Sequence, residues 1–196
     1  AAGEIVGVAG MAGNGQLQFE QVLAGLLEPV RGAVLLRDPA TGQMKPITGL
    51  NPRQRRALGL AYVPSDRLVW GSSPSASVFE NAISHSYRLH TRFGFLQRRR
   101  LAAWTRGLLE RFDVRTPGLH APLRTLSGGN VQKLILGREL TGAAEDGRLA
   151  EAPAPLALVV AMPTRGIDVR GVAFIHDLLR RYRDAGCAIL LISTDL

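Results

Sequence analysis

The sequence predicts an α/β layered domain with a helical subdomain inserted between its two ends. A short run rich in Ile and Val at residues 4–9 is followed at once by glycines and then by a helical apolar pattern from Leu17 to Leu26. Strand and helix patterns alternate at both ends of the chain. The uninterrupted apolar run at residues 156–161 is typical of a central parallel strand that is covered on both faces.

The other elements are predicted from the same periodicities. Pro29 and Gly32 are expected to end the first helix. In chain order, the further predicted elements are strands at 33–37 and 61–63 with a turn-rich loop at 39–49, helical segments within 77–115 and over 131–140, a linker at 142–155, a helix at 172–182 and a strand at 188–192.

Length and composition exclude several classes of protein. The chain has 196 residues, of which 46% are hydrophobic and 20% are charged, as in ordinary globular domains rather than disordered or collagen-like chains. Cys187 is the single cysteine, so no internal disulfide can form, and its apolar surroundings predict a buried structural role. No apolar run is long enough for a bilayer, and the first residues lack a signal-peptide pattern.

The charge balance leaves more than one interpretation open. Lys plus Arg total 24 and Asp plus Glu total 16, which gives a net charge of +8. This excess indicates either a generally basic surface or a partner with negative charge. Arg98 to Arg100 are predicted to form a solvated helical face, or else to face anionic headgroups or a partner helix. The four histidines share no metal-ligand spacing, so no metal site is predicted.

A glycine-rich loop, GMAGNGQL at residues 10–17, falls between the first strand and the first helix. Both glycine positions match the phosphate-loop pattern G-x-x-x-x-G-K-[ST], in which backbone amides and the helix dipole form an anion-binding concavity. Gln16 replaces the lysine and Leu17 replaces the Mg²⁺-binding hydroxyl. A plain glycine turn is the alternative. The predicted loop residues are Gly10, Gly13, Asn14, Gly15, Gln16, Leu17 and Gln18.

A second motif, LSGGNVQK at residues 126–133, opens a predicted helix with a hydroxyl and bare backbone amides. It closely resembles the signature motif of ATP-binding cassette proteins. AYVPSDR at 61–67 resembles their Q-loop region, with Ser65 at the glutamine position. Residues 156–169 resemble the Walker B strand and D-loop, and residues 190–196 resemble the strand before the switch histidine.

The resemblance implies a P-loop NTPase fold, with a RecA-like parallel sheet and an inserted helical subdomain that carries the signature. The core is expected at 1–72 and 141–196 and the helical subdomain at 73–140. The antiparallel strands that precede the phosphate loop in this family are expected to be largely missing, as in a fragment of a longer protein. The segments 93–96, 111–117 and 174–193 resemble the C-terminal cassette of tandem ATPases for sugar or nucleoside uptake.

Departures from the family pattern fall on the positions that phosphoryl transfer requires. Ala161 stands at the Walker B aspartate, Met162 at the catalytic glutamate and Thr194 at the switch histidine. With Gln16, Leu17 and Ser65, they imply that this domain does not hydrolyse ATP by itself. The signature is whole. The resemblance implies that Ser127, Gly128, Gly129, Asn130 and Gln132 contact ATP on a partner cassette, and that Asp168 of the D-loop reaches across the interface.

The implied protein is therefore an importer ATP-binding subunit that uses ATP, with Mg²⁺ held at the partner's site. Its expected partners are the N-terminal cassette of the same protein, transmembrane permease subunits and, indirectly, a solute-binding protein, at the cytoplasmic face of the membrane. A regulatory module for dimerisation and permease docking, without hydrolysis, is the alternative. A DNA-linked cassette rests only on the charge of +8. Nucleic acid is not expected, because aromatic residues do not interleave with Lys and Arg on a sheet.

Overall fold

The computed structural model describes residues 1–11, 13–38, 41–87, 91–92, 94–143, 149–150 and 154–194. His90, Phe93 and most of the predicted linker at 142–155 lie outside these residues. In chain order the elements are β1 (Ile5–Ala9), α1 (Gln16–Ala24), β2 (Leu35–Arg37), β3 (Met44–Pro46), α2 (Pro52–Ala57), β4 (Leu60–Val63), α3 (Val78–Ile83), β5 (Thr91–Arg92), β6 (Phe95–Leu96), α4 (Arg98–Arg111), α5 (Gly128–Leu140), β7 (Gly142–Ala143), β8 (Leu149–Ala150), β9 (Ala157–Ala161), α6 (Val169–Asp184) and β10 (Ala188–Ser193).

The chain divides into two compact units. The first unit comprises Ala1–Ser65, Ala154–Pro163 and His176–Leu196, and the second comprises Asp66–Pro153 and Thr164–Ile175. The predicted domain boundaries after residues 72 and 140 stay predictions. None of the helices within the described ranges combines the length and the apolarity needed to cross a bilayer.

The first unit is built on a parallel sheet in the order β1-β10-β9-β4. Its apolar core includes Ile47, Leu60, Val159, Ala161 and Ile192. The predicted central strands are confirmed, since β9 is buried from Leu158 to Ala161. Burial next to β10 also raises the pKa of the Cys187 thiol to about 12, which suits its predicted structural role.

Helix α1 ends earlier than Pro29 and Gly32 predict. It ends at Ala24, because Gly25 adopts a left-handed conformation with φ of 79° and begins a Schellman cap. The Leu26 amide donates to the Gln21 carbonyl, and the Gly25 amide donates to the Val22 carbonyl. The prediction took the later glycine and proline as the stop signal and missed the first glycine after the helix.

Two elements of the first unit were not predicted from the sequence. The turn-rich loop at 39–49 contains β3, which pairs antiparallel with β2. Helix α2 is short and polar, so it has no apolar stripe to detect. Its start is nevertheless marked locally, because Asn51 and Gln54 form a capping box and Pro52 is the first helical residue.

The second unit contains the predicted helices α3, α4 and α5. The apolar stripe of α4 is buried at Leu101, Trp104 and Leu108. Close packing of α4 on α5 depends on Gly137, because a Cβ there would lie 2.9 Å from Leu108 Cδ2. Helix α5 begins directly after Ser127, as the signature motif predicts.

Candidate functional site

The sheet topology of the first unit gathers most of the altered positions at one edge. All four strands run parallel, so their carboxyl ends lie together. The glycine loop follows β1, Thr194 follows β10, and Met162 follows Ala161 at the end of β9. Ser65 follows β4 after Pro64. The structure thus brings together residues that are far apart in the sequence.

The glycine loop is closed by the side chain of Gln16. Its Oε1 accepts a hydrogen bond from the Asn14 amide at 3.1 Å, and its Nε2 donates to the Met11 carbonyl at 2.7 Å. A Cβ at Gly10 would lie 2.5 Å from Nε2, so a larger residue there would displace the Gln16 side chain. Gly15 is the N-cap of α1 in a left-handed conformation with φ of 91°. Because Gln16 Oε1 bonds the Asn14 amide, this backbone amide of the loop is already bonded within the chain.

Ser65 is bound to helix α1 by a buried carboxylate. Its Oγ donates to Glu20 Oε1 at 2.6 Å, and its backbone amide donates to the same oxygen at 3.3 Å. The Glu20 side chain is only 1% exposed. Sequence reasoning missed Glu20, because a glutamate in a helix is usually solvated and no local signal marks its burial.

The ends of β9 and β10 contact each other through a sulfur atom. The Thr194 amide donates to Met162 Sδ at 3.4 Å, and the Thr194 hydroxyl does so at 3.7 Å. Met162 has φ of 46°, which is uncommon for a residue other than glycine. Ala161 is fully buried and Leu17 ends in an aliphatic group. These four side chains therefore offer no carboxylate, imidazole or charged oxygen to a metal or a water molecule.

The signature in the second unit has a different arrangement. Ser127 caps α5, and its Oγ accepts hydrogen bonds from the Asn130 amide at 3.4 Å and from Asn130 Nδ2 at 2.9 Å. Asn130 is itself oriented by the Arg115 amide, which donates to its Oδ1 at 2.8 Å. Among the described residues, no acceptor takes the Ser127 hydroxyl proton, which can therefore be donated to an external acceptor.

A cavity of about 620 Å³ lies beside this helix start. Ser127, Gly129 and Asn130 line it from α5, and Asp168 and Arg170 line it from the segment at 167–170. Asp168 Oδ1 accepts from the Gly171 amide at 2.7 Å, which fixes the beginning of α6.

Three cationic and two acidic side chains line this cavity. Arg115, Lys133 and Arg170 line it together with Asp113. A hydrogen bond of 2.8 Å from Lys133, together with its positive charge, holds the pKa of the Asp113 carboxyl below its usual range. Within the described ranges, Arg170 has no carboxylate partner to balance its charge.

Some predicted site residues lie elsewhere. Gln132 is 2% exposed, does not line the cavity, and has no described hydrogen-bond partner for its Nε2. Its predicted contact with ATP stays a prediction. In the part of the chain that the structure describes, there is no group of three or more His, Cys, Asp or Glu side chains that could hold a metal ion.

The parallel sheet with a glycine loop after its first strand, and the helix that opens on Ser127, define the P-loop fold of an ATP-binding cassette. No family model matches the chain. Its fold matches that of a solved nucleotide-free ATP-binding cassette from an ABC transporter, with a TM-score of 0.70 at 17% identity, over 100% of this chain and 72% of that one. A second solved cassette, in its ADP conformation, matches with a TM-score of 0.66 at 18% identity, over 100% of this chain and 72% of that one.

Relatives in sequence indicate which kind of ATP-binding protein the chain resembles. The chain is 36% identical to the guanosine import ATP-binding protein NupO of Bacillus subtilis over 100% of this chain and 35% of that protein. It is also 36% identical to the nucleoside import ATP-binding protein NupA of Lactococcus lactis, and 35% identical to the ribose import ATP-binding protein RbsA of Rhodopirellula baltica. The chain spans about a third of the length of these relatives. The whole chain is therefore similar to one portion of nucleoside and sugar import ATP-binding proteins, and its fold is that of an ATP-binding cassette.

Proposed function

We propose that this chain is the second, degenerate cassette of an import ATPase, which supplies its signature to ATP held by a partner cassette. The phosphate loop of the partner would hold the nucleotide and its Mg²⁺. This chain would add Ser127, the amides of Gly128 and Gly129, and Asn130 from the opposite side. Hydrolysis would take place at that shared site, and the isolated chain would release no phosphate.

The hydrogen bonding of Ser127 carries this proposal. Asn130 occupies the acceptor capacity of the hydroxyl, whose proton stays free to donate at the positive end of α5. The adjacent cavity holds about 620 Å³ and is lined by more cationic than acidic side chains. A hydroxyl donor, free amides and cations together fit the oxygens of a triphosphate.

The residues of the chain's own loop do not fit Mg²⁺-ATP. Gln16 bonds the Asn14 amide, one of the groups that would otherwise face a phosphate oxygen. Leu17 and Ala161 provide no oxygen ligand for Mg²⁺, which requires such ligands. Met162 has no group that polarises a water molecule, so this edge would not carry out hydrolysis.

The relatives support the further assignments of solute and partner. Their names specify guanosine, nucleoside and ribose import, so we assign this chain to an importer of nucleosides or simple sugars. Its partners would be the N-terminal cassette of the same protein and transmembrane permease subunits, with a solute-binding protein acting indirectly. The domain would lie at the cytoplasmic face of the membrane as a peripheral subunit.

The test uses the intact importer ATPase with its permease. Ser127→Arg places a long cation where the hydroxyl faces the triphosphate, and we expect ATP turnover to fall by about a hundredfold or more. Ser127→Ala removes the outward donor and the helix cap together. Ser77→Ala is the matched control, because Ser77 caps α3 in the same unit and its loss affects helix stability alone.

Unchanged turnover in Ser127→Arg would rule out the role in trans. That outcome would favour the alternative, a docking module without a nucleotide contact from the signature. The exposed apolar run Leu68, Val69 and Trp70 supports this second candidate, since these side chains are 48%, 67% and 48% exposed. Titration of the assembled ATPase with nucleotide separates the two, because only the first requires Ser127 for tight binding in the closed state.

A further inference from the structure

A tight turn at residues 66–71 holds Arg67 in a fixed position. Asp66 Oδ1 accepts hydrogen bonds from the amides of Leu68 and Val69 at 3.0 Å each. The Asp66 carbonyl accepts from the amides of Trp70 and Gly71 at 3.1 Å each. Ser72 Oγ also donates to the Arg67 carbonyl at 2.6 Å. The backbone on both sides of Arg67 is therefore constrained by hydrogen bonds.

The same turn is attached to helix α5. Arg138 Nη2 donates to the Gly71 carbonyl at 2.5 Å, and its Nη1 donates to the Asn81 carbonyl at 3.2 Å. A Cβ at Gly71 would lie 2.8 Å from Ile135 Cδ1, so the turn packs directly on α5. The turn that carries Arg67 is therefore anchored to α5, the helix that begins at the signature.

The Arg67 guanidinium spans the two segments that line the cavity. Its Nη1 donates to the Arg165 carbonyl at 2.7 Å, next to Gly166. Its Nη2 lies against Gly128, where a Cβ would be only 2.3 Å away. Ser127 and Asn130 line the cavity on one side of this bridge, and the segment at 167–170 lines it on the other.

The charge of Arg67 argues against a purely stabilising role. A cation beside the first turn of a helix meets the positive end of the helix dipole, which disfavours it. The bond to the Arg165 carbonyl offsets part of that repulsion. Gly128 is also explained by this contact, since any larger residue would displace the guanidinium.

We propose that Arg67 is a positioning residue that sets the distance between the signature and the D-loop segment across the cavity. This inference rests on the proposed function, since the segments that it holds would contact the triphosphate. Arg67 does not line the cavity and acts through Gly128 and Arg165. Without it, Ser127 and Asp168 would no longer be held in a fixed relative position.

The first experiment measures ATP turnover by the intact importer ATPase with Arg67→Gln. Because the signature contact forms after ATP is held by the partner, we expect kcat to fall about tenfold while KM for ATP changes less than about twofold. Arg67→Lys can still donate to the Arg165 carbonyl and should recover part of the loss. Arg124→Gln is the matched control, an exposed arginine of the same unit that should leave kcat unchanged.

A double-mutant cycle tests the contact with Gly128. Gly128→Ala should lower kcat as Arg67→Gln does, because the new methyl group displaces the guanidinium. In an Arg67→Ala background the methyl group has space, and Gly128→Ala should cost little more. Independent, multiplicative losses in the double variant would overturn the proposal, as would a loss in Arg67→Gln that appears only in KM.

Amide hydrogen exchange keeps this inference separable from the proposed function. Arg67→Gln should speed exchange at residues 127–131 and 164–168 of the intact ATPase. If Ser127→Arg leaves turnover unchanged, the proposed function fails, and exchange still reports whether Arg67 joins the two segments. Wild-type exchange at both segments in Arg67→Gln would overturn the positioning role.

Discussion

The glycine loop of the first unit and the signature of the second are both glycine-rich turns that precede a helix, yet they differ in where their polar groups point. At the loop, the Gln16 side chain bonds Asn14 and Met11, so polar groups are satisfied within the chain. At the signature, the Asn130 amide and Nδ2 donate to Ser127 Oγ, and the hydroxyl keeps a proton that it can donate. The difference teaches that a glycine-rich turn offers an external anion only the donors that its own side chains leave unbonded: Gln16 Oε1 bonds the Asn14 amide, and Ser127 Oγ bonds the Asn130 amide but keeps its own proton.

The same contrast extends to the surroundings of each turn. At the carboxyl edge of the sheet, Met162 and Thr194 contact each other and provide no charge. Beside the signature, Lys133, Arg115 and Arg170 face a cavity with Asp113 and Asp168. The first region is therefore suited to structural support, and the second retains the groups that an anionic ligand requires.

The largest expected effect concerns the stability of the first unit, which carries the glycine loop. Arg55 is 1% exposed and donates to the carbonyls of Leu50, Val22, Leu23 and Thr48. Arg55→Met removes the guanidinium donors from all four carbonyls, of which Val22 keeps the Gly25 amide, and we expect the free energy of unfolding to fall by about 4 kcal/mol. Denaturant unfolding measures this, with the exposed Arg53→Met on the same helix as control.

Equal losses in the two arginine variants would contradict this account of Arg55. They would show that the C-terminal carbonyls of α1 find other donors or water. The first unit would then not depend on a buried cation at the end of α1, the helix that begins at the glycine loop.

A smaller effect is expected when the loop is given back its missing groups. Gln16→Lys with Leu17→Ser removes the internal amide and adds a cation and a hydroxyl. We expect ATP affinity of this loop to rise about a hundredfold, or about 2.7 kcal/mol, because hydrogen bonds to charged groups are strong. Calorimetry measures the affinity, and Gln21→Lys controls for added charge on the same helix.

This double variant should still not hydrolyse ATP by itself, because Ala161 and Met162 remain. Release of phosphate at a substantial rate by the variant would break the distinction between the two regions. Micromolar affinity of the unaltered loop for Mg²⁺-ATP would do the same, since it would show that Gln16 does not obstruct the phosphate position.

The smallest effect concerns the acid side of the stability curve. The Asp113 pKa is lowered by its hydrogen bond with Lys133 and by that cation's charge. The carboxylate therefore adds stability above the pKa of the unfolded chain, and this stability is lost as the pH falls through the lower folded value. Melting temperatures between about pH 5 and pH 2 should decline less steeply in Asp113→Asn.

Lys133→Gln removes the main cause of this shift and should reduce the slope in the same way. A wild-type slope in both variants would mean that the pair contributes nothing to stability at the rim of the cavity. The charged side chains of the cavity would then be free to rearrange around a ligand. The Gln16 side chain, in contrast, is bonded within the glycine loop.

Much of the fold follows from local patterns. The apolar run of β9 predicted a covered parallel strand, and the stripe of α4 predicted its buried face. Two elements were missed for the opposite reason, since β3 is exposed and α2 is polar. Gly25 marks the early end of α1, but the prediction relied on the later Pro29 and Gly32.

For the candidate site, motif spacing identified the positions but not the contacts between them. Ser127 was predicted as a helix cap with a hydroxyl at the anion-facing end, and it does cap α5. Glu20 and Arg67 were not singled out, because their partners Ser65 and Arg165 lie 45 and 98 residues away. Contacts across such separations have no local signal in a single sequence.

The sequence by itself determined which chemical groups are present at each position. It specified Gln16, Leu17, Ala161 and Met162 in place of charged or metal-binding groups, and it specified the intact signature. It also determined the order of the apolar strands and helices, because periodicity and caps act over a few residues, while the exposed β3 and the polar α2 were missed.

Only the tertiary structure decided which of those groups are already bonded within the chain. The Gln16 amide turns into its own loop, Thr194 meets Met162, and Arg67 joins Gly128 to Arg165. Side-chain orientation and long-range packing set these outcomes. The same donor group can bind a ligand only when no acceptor within the chain already takes its proton.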